Sequence, residues 1–190
     1  LSLKRLRNAP HGIDLGPLEQ GLVRRLGSPD RRIQLTPYAY VTDLERAARA
    51  LETPAPALVL IGRRHVRSNN SWLHNSQRLV KGKPRCTLMI HPDDAATRGI
   101  VDGDAVRLRS RVGSIEIAAE VTDDMLPGVV CMPHGWGHDR PGTRLSVAGS
   151  SPGVSINDVI DDQRIDALTG TAVLNGTPVE VEPVRLASTA

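Results

Sequence analysis

The sequence has no phenylalanine, and only two tryptophans and two tyrosines in 190 residues. A surface that stacks several nucleic-acid bases needs more rings than this, so nucleic acid is not an expected partner. Cysteine is as scarce. Cys86 and Cys131 cannot form a disulfide framework, and neither sits in a C-x-x-C pair. Each falls in an apolar run, where a thiol packs as a small hydrophobe. No stretch approaches the roughly 18 consecutive apolar residues of a membrane helix, so insertion into a bilayer is not expected. The chain opens on Leu1 and shows no charged segment followed by an apolar one. Together with the sparse cysteines, this suggests a piece of a longer polypeptide in a reducing, cytoplasmic setting. Also missing are the P-loop, G-x-G-x-x-G, H-E-x-x-H and G-x-S-x-G patterns.

Acidic residues are absent from one long stretch. Between Thr53 and Pro92 there is none, while Arg63, Arg64, Arg67, Arg78, Lys81, Lys83 and Arg85 all fall there. The formal net charge of +3 therefore divides into +7 in this segment and −4 in the remainder. A solvated basic face is the ordinary reading of such a run. This one is also rich in Asn, Ser and His, which favours a polar anionic ligand held by charge-assisted hydrogen bonds.

Residues 1–41 are broken up by Pro10, Gly12, Gly16, Pro17, Gly27, Pro29 and Pro37. They read as an extended arm with short helical pieces near Leu18–Leu26. Thr42-Asp43-Leu44-Glu45 has the form of a capping box, which predicts a helix over 43–51. The arm is expected to end near residue 55, with a β domain over 56–190. There, Ala57–Ile61 reads as a strand buried on both faces, and Cys86–Ile90 as the next. Pro92, Asp93 and Asp94 open a short helix that Gly99 ends. Ala105–Arg111 and Ser114–Val121 form a hairpin around Val112-Gly113. That turn sets Leu108 opposite Ile117, Val106 opposite Ala119 and Arg109 opposite Glu116. Val129–Met132 and Val179–Val184 complete the strands. The expected class is mainly β with short helices, a small barrel or sandwich.

Three segments are candidates for chemistry. The first is the loop Gly62–Ser76 at the end of the first buried strand, a common position for a ligand site. The second is His134–Asp139. Its His134 and His138 are four apart, but the surrounding glycines and Pro133 argue against a helical metal pair. They suit a backbone that approaches a ligand closely, or a surface loop with a packed Trp136. The third is Ser155–Asp158, where Asn157 suits a helix cap as well as a ligand contact. No spacing singles out a catalytic triad.

Four segments, Leu58–Asn75, His91–Asp104, Pro127–His138 and Ser155–Gly170, together resemble the C-terminal domain of the molybdopterin oxidoreductases. That family includes formate dehydrogenases and periplasmic nitrate reductases. The resemblance implies a double-psi β-barrel of six main strands that closes over bis-molybdopterin guanine dinucleotide carrying molybdenum or tungsten. It implies cofactor-binding roles for Gly62, Arg63, Arg64, Arg67, Asn69, Asn70, Ser71, His134, Gly135, Trp136 and Asn157. It also implies that the metal's protein ligand and the iron–sulfur cysteines lie in other domains of the same polypeptide, so this chain alone would be inactive. Double-psi barrels also serve as substrate- or adaptor-recognition modules of ATPase assemblies. The missing P-loop and the Arg/Asn/Ser loop speak against that alternative.

Overall fold

A computed structural model describes residues 1–184. Contacts divide the chain at Ala47 and Ala48. The expected domain over 56–190 thus includes six residues, 185–190, that lie outside the described ones. The first unit contains α1 (Leu3–Arg7), α2 (Leu22–Arg25) and the beginning of α3 (Tyr38–Glu52), and none of these helices buries a residue. Helix α3 starts five residues earlier than the capping-box reading. Pro37 supplies the first carbonyl, which accepts from the amides of Tyr40 and Val41. Thr42 is therefore inside the helix, and its Oγ1 donates back to the carbonyls of Tyr38 and Ala39, each at 3.1 Å. A hydroxyl bonded to the preceding turn cannot cap the following one.

The second unit is built on a sheet of seven segments: β1 (Val59–Arg63), β2 (Thr87–Ile90), β3 (Ala105–Arg109), β4 (Ser114–Val121), β5 (Val129–Pro133), β6 (Thr177–Pro178) and β7 (Glu180–Pro183), in the order β6-β1-β5-β2-β4-β3-β7. The two ends of that order, β6 and β7, are separated only by Val179. They are one bent run of chain, and the sheet closes on itself as a six-stranded barrel. At its centre β5 and β2 run antiparallel, and each has a parallel partner, β1 and β4. This is a double-psi β-barrel. Among the described strands, closure leaves no free edge to recruit another chain.

Alternation builds the core. In β3 and β4 every second residue is buried, placing Val106, Leu108, Ile115, Ile117 and Ala119 inside. They meet Leu58, Leu60, Leu88, Ile90, Val130, Met132 and Val181. Each fully buried aliphatic side chain contributes about 1.5–3 kcal/mol, so an aliphatic interior suffices without Phe. Cys131 is buried in β5 and Cys86 half-buried, and burial raises both thiol pKa values.

The hairpin differs from the sequence reading. The observed pairs are Val106↔Ile117, Leu108↔Ile115 and Arg107↔Glu116. The turn is centred on Arg111-Val112 and closed by the Ser110 amide donating to the Gly113 carbonyl at 2.9 Å. This shift is two residues, so every side chain keeps its face. Charge follows the register. Arg107 bonds Glu116 at 2.8 Å, while Arg109 turns to Glu180 of β7. The short helix is as expected: α5 spans Pro92–Arg98, with the His91 side chain as its cap.

Candidate functional site

Strands β1 and β5 are adjacent and parallel, with Gly62 beside Met132 and Arg63 beside Pro133. Their C-terminal ends therefore lie together, and the loops that follow start side by side. The amide of His134 donates to the Arg63 carbonyl at 3.1 Å, extending the ladder one residue into the loops. The first loop, residues 64–76, folds into successive turns. Asn69 and Asn70 hold φ of 42° and 63°, a left-handed conformation that Asn tolerates better than most residues. The second loop follows β5, and a Cβ at Gly135 (φ 96°) would overlap the Asn70 carbonyl oxygen and lie 2.6 Å from its carbon. Only glycine permits this approach.

Seven of the eleven predicted residues fall in two clefts. Gly62, Arg64, His134 and Asn157 line a small cleft of about 110 Å³, together with Ile156, Ile160, Leu174 and Asn175. Arg64 donates to Asn70 Oδ1. Burial, and secondarily Arg64, lowers the His134 pKa, favouring a neutral imidazole. Asn157 does not cap its 3₁₀ turn (Ile156–Asp158). Ser155 does so instead, its Oγ accepting from the Asn157 amide at 3.3 Å. Asn175 was not anticipated. Its Oδ1 accepts from the Gly62 amide at 2.9 Å across 113 residues of sequence. The Asn-Gly it belongs to reads locally as a turn, so no signal in the sequence links it to β1.

Arg63, Arg67 and Trp136 line a second cleft of about 410 Å³, with His65, Lys81, Lys83 and Arg85. Arg63 is a structural cation here. Its guanidinium donates to the carbonyls of Cys131 (2.8 Å) and Arg85 (3.3 Å) and to Thr87 Oγ1 (2.9 Å). Arg85 likewise donates to the Leu79 and Lys81 carbonyls, at 2.8 and 2.9 Å, closing the short helix α4 (Gln77–Val80). Burial, then Arg85, Arg67 and Arg63, lower the His65 pKa. Trp136 is buried, and its Nε1–H has no acceptor among the described residues. An unpaired buried donor costs about 1–3 kcal/mol, a cost that a ligand acceptor would remove. Asn69, Asn70, Ser71 and Gly135 line neither cleft. Asn69 is exposed, and the Ser71 carbonyl accepts from the His74 amide at 3.1 Å.

In the sequence His74 reads only as one of the first loop's polar residues and His138 only as half of a metal pair with His134, yet His74 and His138 join the loops. His74 is 1% exposed, with Nε2 2.8 Å from Ser68 Oγ and Nδ1 2.8 Å from His138 Nε2. Its ring lies over Trp136, with centroids 4.0 Å apart and planes 30° apart. Asn75 makes a further tie, its Oδ1 accepting from the amides of Val147 and Ala148 at 3.0 and 3.1 Å in α6 (Ser146–Gly149). His134 and His138 thus have different partners and do not act as a pair. A larger cavity, about 600 Å³, lies away from these loops beside Ala57 and Asp161. Its arginines are occupied: Arg111 by Asp161, Arg164 by the Gly176 carbonyl and Arg109 by Glu180.

The barrel from Leu58 to Pro178 matches the family described as "Molydopterin dinucleotide binding domain". The chain belongs to that family. The matched residues, 58–178, include both loops, both clefts and Asn175. Among curated relatives, the molybdopterin-domain chain is 37% identical over 91 residues to the trimethylamine-N-oxide reductase of Haemophilus influenzae, covering 47% of this chain and 10% of that protein. It is 42% identical over 69 residues to the dimethyl sulfoxide/trimethylamine N-oxide reductase of Rhodobacter capsulatus, covering 34% and 8%. It is 31% identical over 123 residues to the arsenate respiratory reductase molybdopterin-containing subunit of Chrysiogenes arsenatis, covering 60% and 14%. The chain spans about a tenth of the length of the curated relatives it matches. Acetylene hydratase from Pelobacter acetylenicus has a similar fold, with a TM-score of 0.55 and 20% identity over 75% of this chain and 19% of that one.

Proposed function

We propose that this domain is the segment of a larger molybdenum- or tungsten-dependent oxidoreductase that binds and orients bis-molybdopterin guanine dinucleotide. The carrying observation is the pair of clefts on one loop, one small and amide-lined, the other larger and basic. Arg64, Asn157 and Asn175 would meet the edges of a heterocycle, and Arg67, Lys81 and Lys83 would meet phosphate charge. The buried Trp136 N–H, without an acceptor among the described residues, fits a ligand that brings its own. When bound, the cofactor supplies the electron transfer at its metal; the protein supplies binding and orientation.

Cys86 is tied to the Val154 backbone and Cys131 is buried in β5, so both thiols serve the barrel. On this reading the metal's protein ligand and any iron–sulfur cysteines belong to other domains of the same polypeptide, this chain's partners. The isolated chain has no redox activity of its own. The test is made in the full-length parent, comparing Arg64→Ala, Asn157→Ala and Asn175→Ala with Arg107→Ala, which lies on β3. Metal content by mass spectrometry and pterin by fluorescence should fall about tenfold in the first three, the equivalent of one hydrogen bond to a charged or buried partner. They should be unchanged in the fourth. Undiminished metal and pterin in all four would overturn the assignment.

A further inference from the structure

The two loops of the candidate site meet through a contact whose chemistry differs from the rest of the interface. His74 in the first loop and His138 in the second face each other nitrogen to nitrogen at 2.8 Å, and Ser68 closes the far side of His74 at 2.8 Å. An imidazole–imidazole bond at this distance needs one proton between the two nitrogens. With both rings neutral, one donates and one accepts. With one ring charged, the bond persists. With both charged, two N–H groups face each other and the bond cannot exist. We infer that His74 and His138 are positioning residues forming a proton-sensitive latch, closed with at most one proton beyond the neutral pair and open with two.

What the latch holds is equally specific. Trp136 lies on the His74 ring, so the latch fixes the indole whose N–H has no acceptor among the described residues. His138 is anchored from behind, its amide donating to the Pro152 carbonyl at 3.1 Å. The first loop has its own bonds, from the Leu73 amide to the Ser68 carbonyl and from the His74 amide to the Ser71 carbonyl, both 3.1 Å. Opening would therefore free residues 66–75 from the second loop, while the barrel below stays intact. The Asn75 tie to α6 carries no titratable group and limits the movement.

The surrounding charges set the direction. His74 is faced by His138, by Arg85 from the segment before β2, and by His65 from its own loop. All three, after burial as the leading cause, disfavour its charged form, and the Gly135 carbonyl partly offsets them. His138 is disfavoured by burial and helped by the Asp139 carboxylate beside it. Both pKa values lie below the ordinary 6.5. The latched form thus binds protons less readily than the open form. Its advantage is complete above about pH 6.5 and declines as pH falls through the lowered values.

The test follows amide hydrogen exchange of the full chain at pH 7 and pH 5, corrected for the intrinsic pH dependence of exchange. Residues 66–75 should lose about tenfold in protection for each pK unit by which the pair is lowered, while β3 and β4 stay protected. His138→Gln offers an amide nitrogen or oxygen where Nε2 stood and cannot be charged in this range. It should keep the pH 7 protection and show a weaker pH dependence, the part that His74 carries through burial, Arg85 and His65. His138→Ala should be weakly protected at both values. A wild-type loop indifferent to pH, or a His138→Gln loop that retains the wild-type dependence, would overturn the latch. The inference rests on the pterin reading only for what the loops hold. Exchange in this chain is independent of metal and pterin content in the parent, so either can fail without the other.

Discussion

Gly135→Ala tests the closest approach in the site. Two costs coincide at this position. An alanine at φ 96° is strained by about 1–3 kcal/mol. Its Cβ would also overlap the Asn70 carbonyl oxygen, lying 2.6 Å from the carbon and 3.1 Å from the Ser71 nitrogen. These are backbone atoms, so relief requires the first loop to move, at about 1–3 kcal/mol more. Gly142→Ala separates the two costs. Gly142 has φ 88° but nothing within 4 Å of a built Cβ, so only the conformational cost applies. Urea unfolding, followed through the buried indole of Trp136, should give a loss of about 2–6 kcal/mol for Gly135→Ala. For Gly142→Ala it should be about 1–3 kcal/mol. With urea slopes of about 1–3 kcal/mol per molar, the midpoints should differ by about 1 M. Equal midpoints would refute the reasoning, because they would mean the loops do not press together at Gly135.

Arg63→Ala should destabilise the barrel by about 1.5–3 kcal/mol, the worth of hydrogen bonds from a charged donor. Arg67→Ala should stay within about 0.5 kcal/mol, and urea midpoints distinguish them. Asp161, held at a pKa of about 2 by the Arg111 guanidinium and the Gln163 amide, contributes stability that is present above about pH 4. That contribution is lost as pH falls toward 2. Asp161→Asn should flatten melting temperature against pH across that window; an unchanged acid limb would count against the pairing. Asn175→Ala should loosen β1 at Gly62, seen as faster exchange of the Gly62 amide, with Asn175→Asp retaining the acceptor.

Features carried by local pattern were legible in the sequence; those set by long-range contact were not. Alternation disclosed β3 and β4 because a half-buried hairpin repeats every two residues, and Pro92 and Gly99 punctuate α5 directly. The hairpin register was misplaced because Gly113 resembles a turn centre, whereas it closes the turn through its carbonyl. Parity survived, so the core was still correctly anticipated. At the site, Arg63 and Arg67 look alike in sequence. Both line the same cleft, and only the fold shows that the Arg63 guanidinium is spent on carbonyls of β5 and of the segment before β2. Ser155 and Asn157 compete for one cap, and local geometry gave it to the serine. His74 gave no sign of its role because its partner is 64 residues away.

Closure by β6 and β7 has a consequence for how the chain is made. Both free margins of the sheet, β1 and β3, wait for the same short run, Thr177–Pro183. During synthesis everything N-terminal to it emerges first, as an open sheet with two unpaired margins bearing Leu60 and Leu108. The domain is therefore most prone to aggregation just before its last strand leaves the ribosome. A stop codon or frameshift near residue 176 would release that intermediate permanently, leaving both margins exposed.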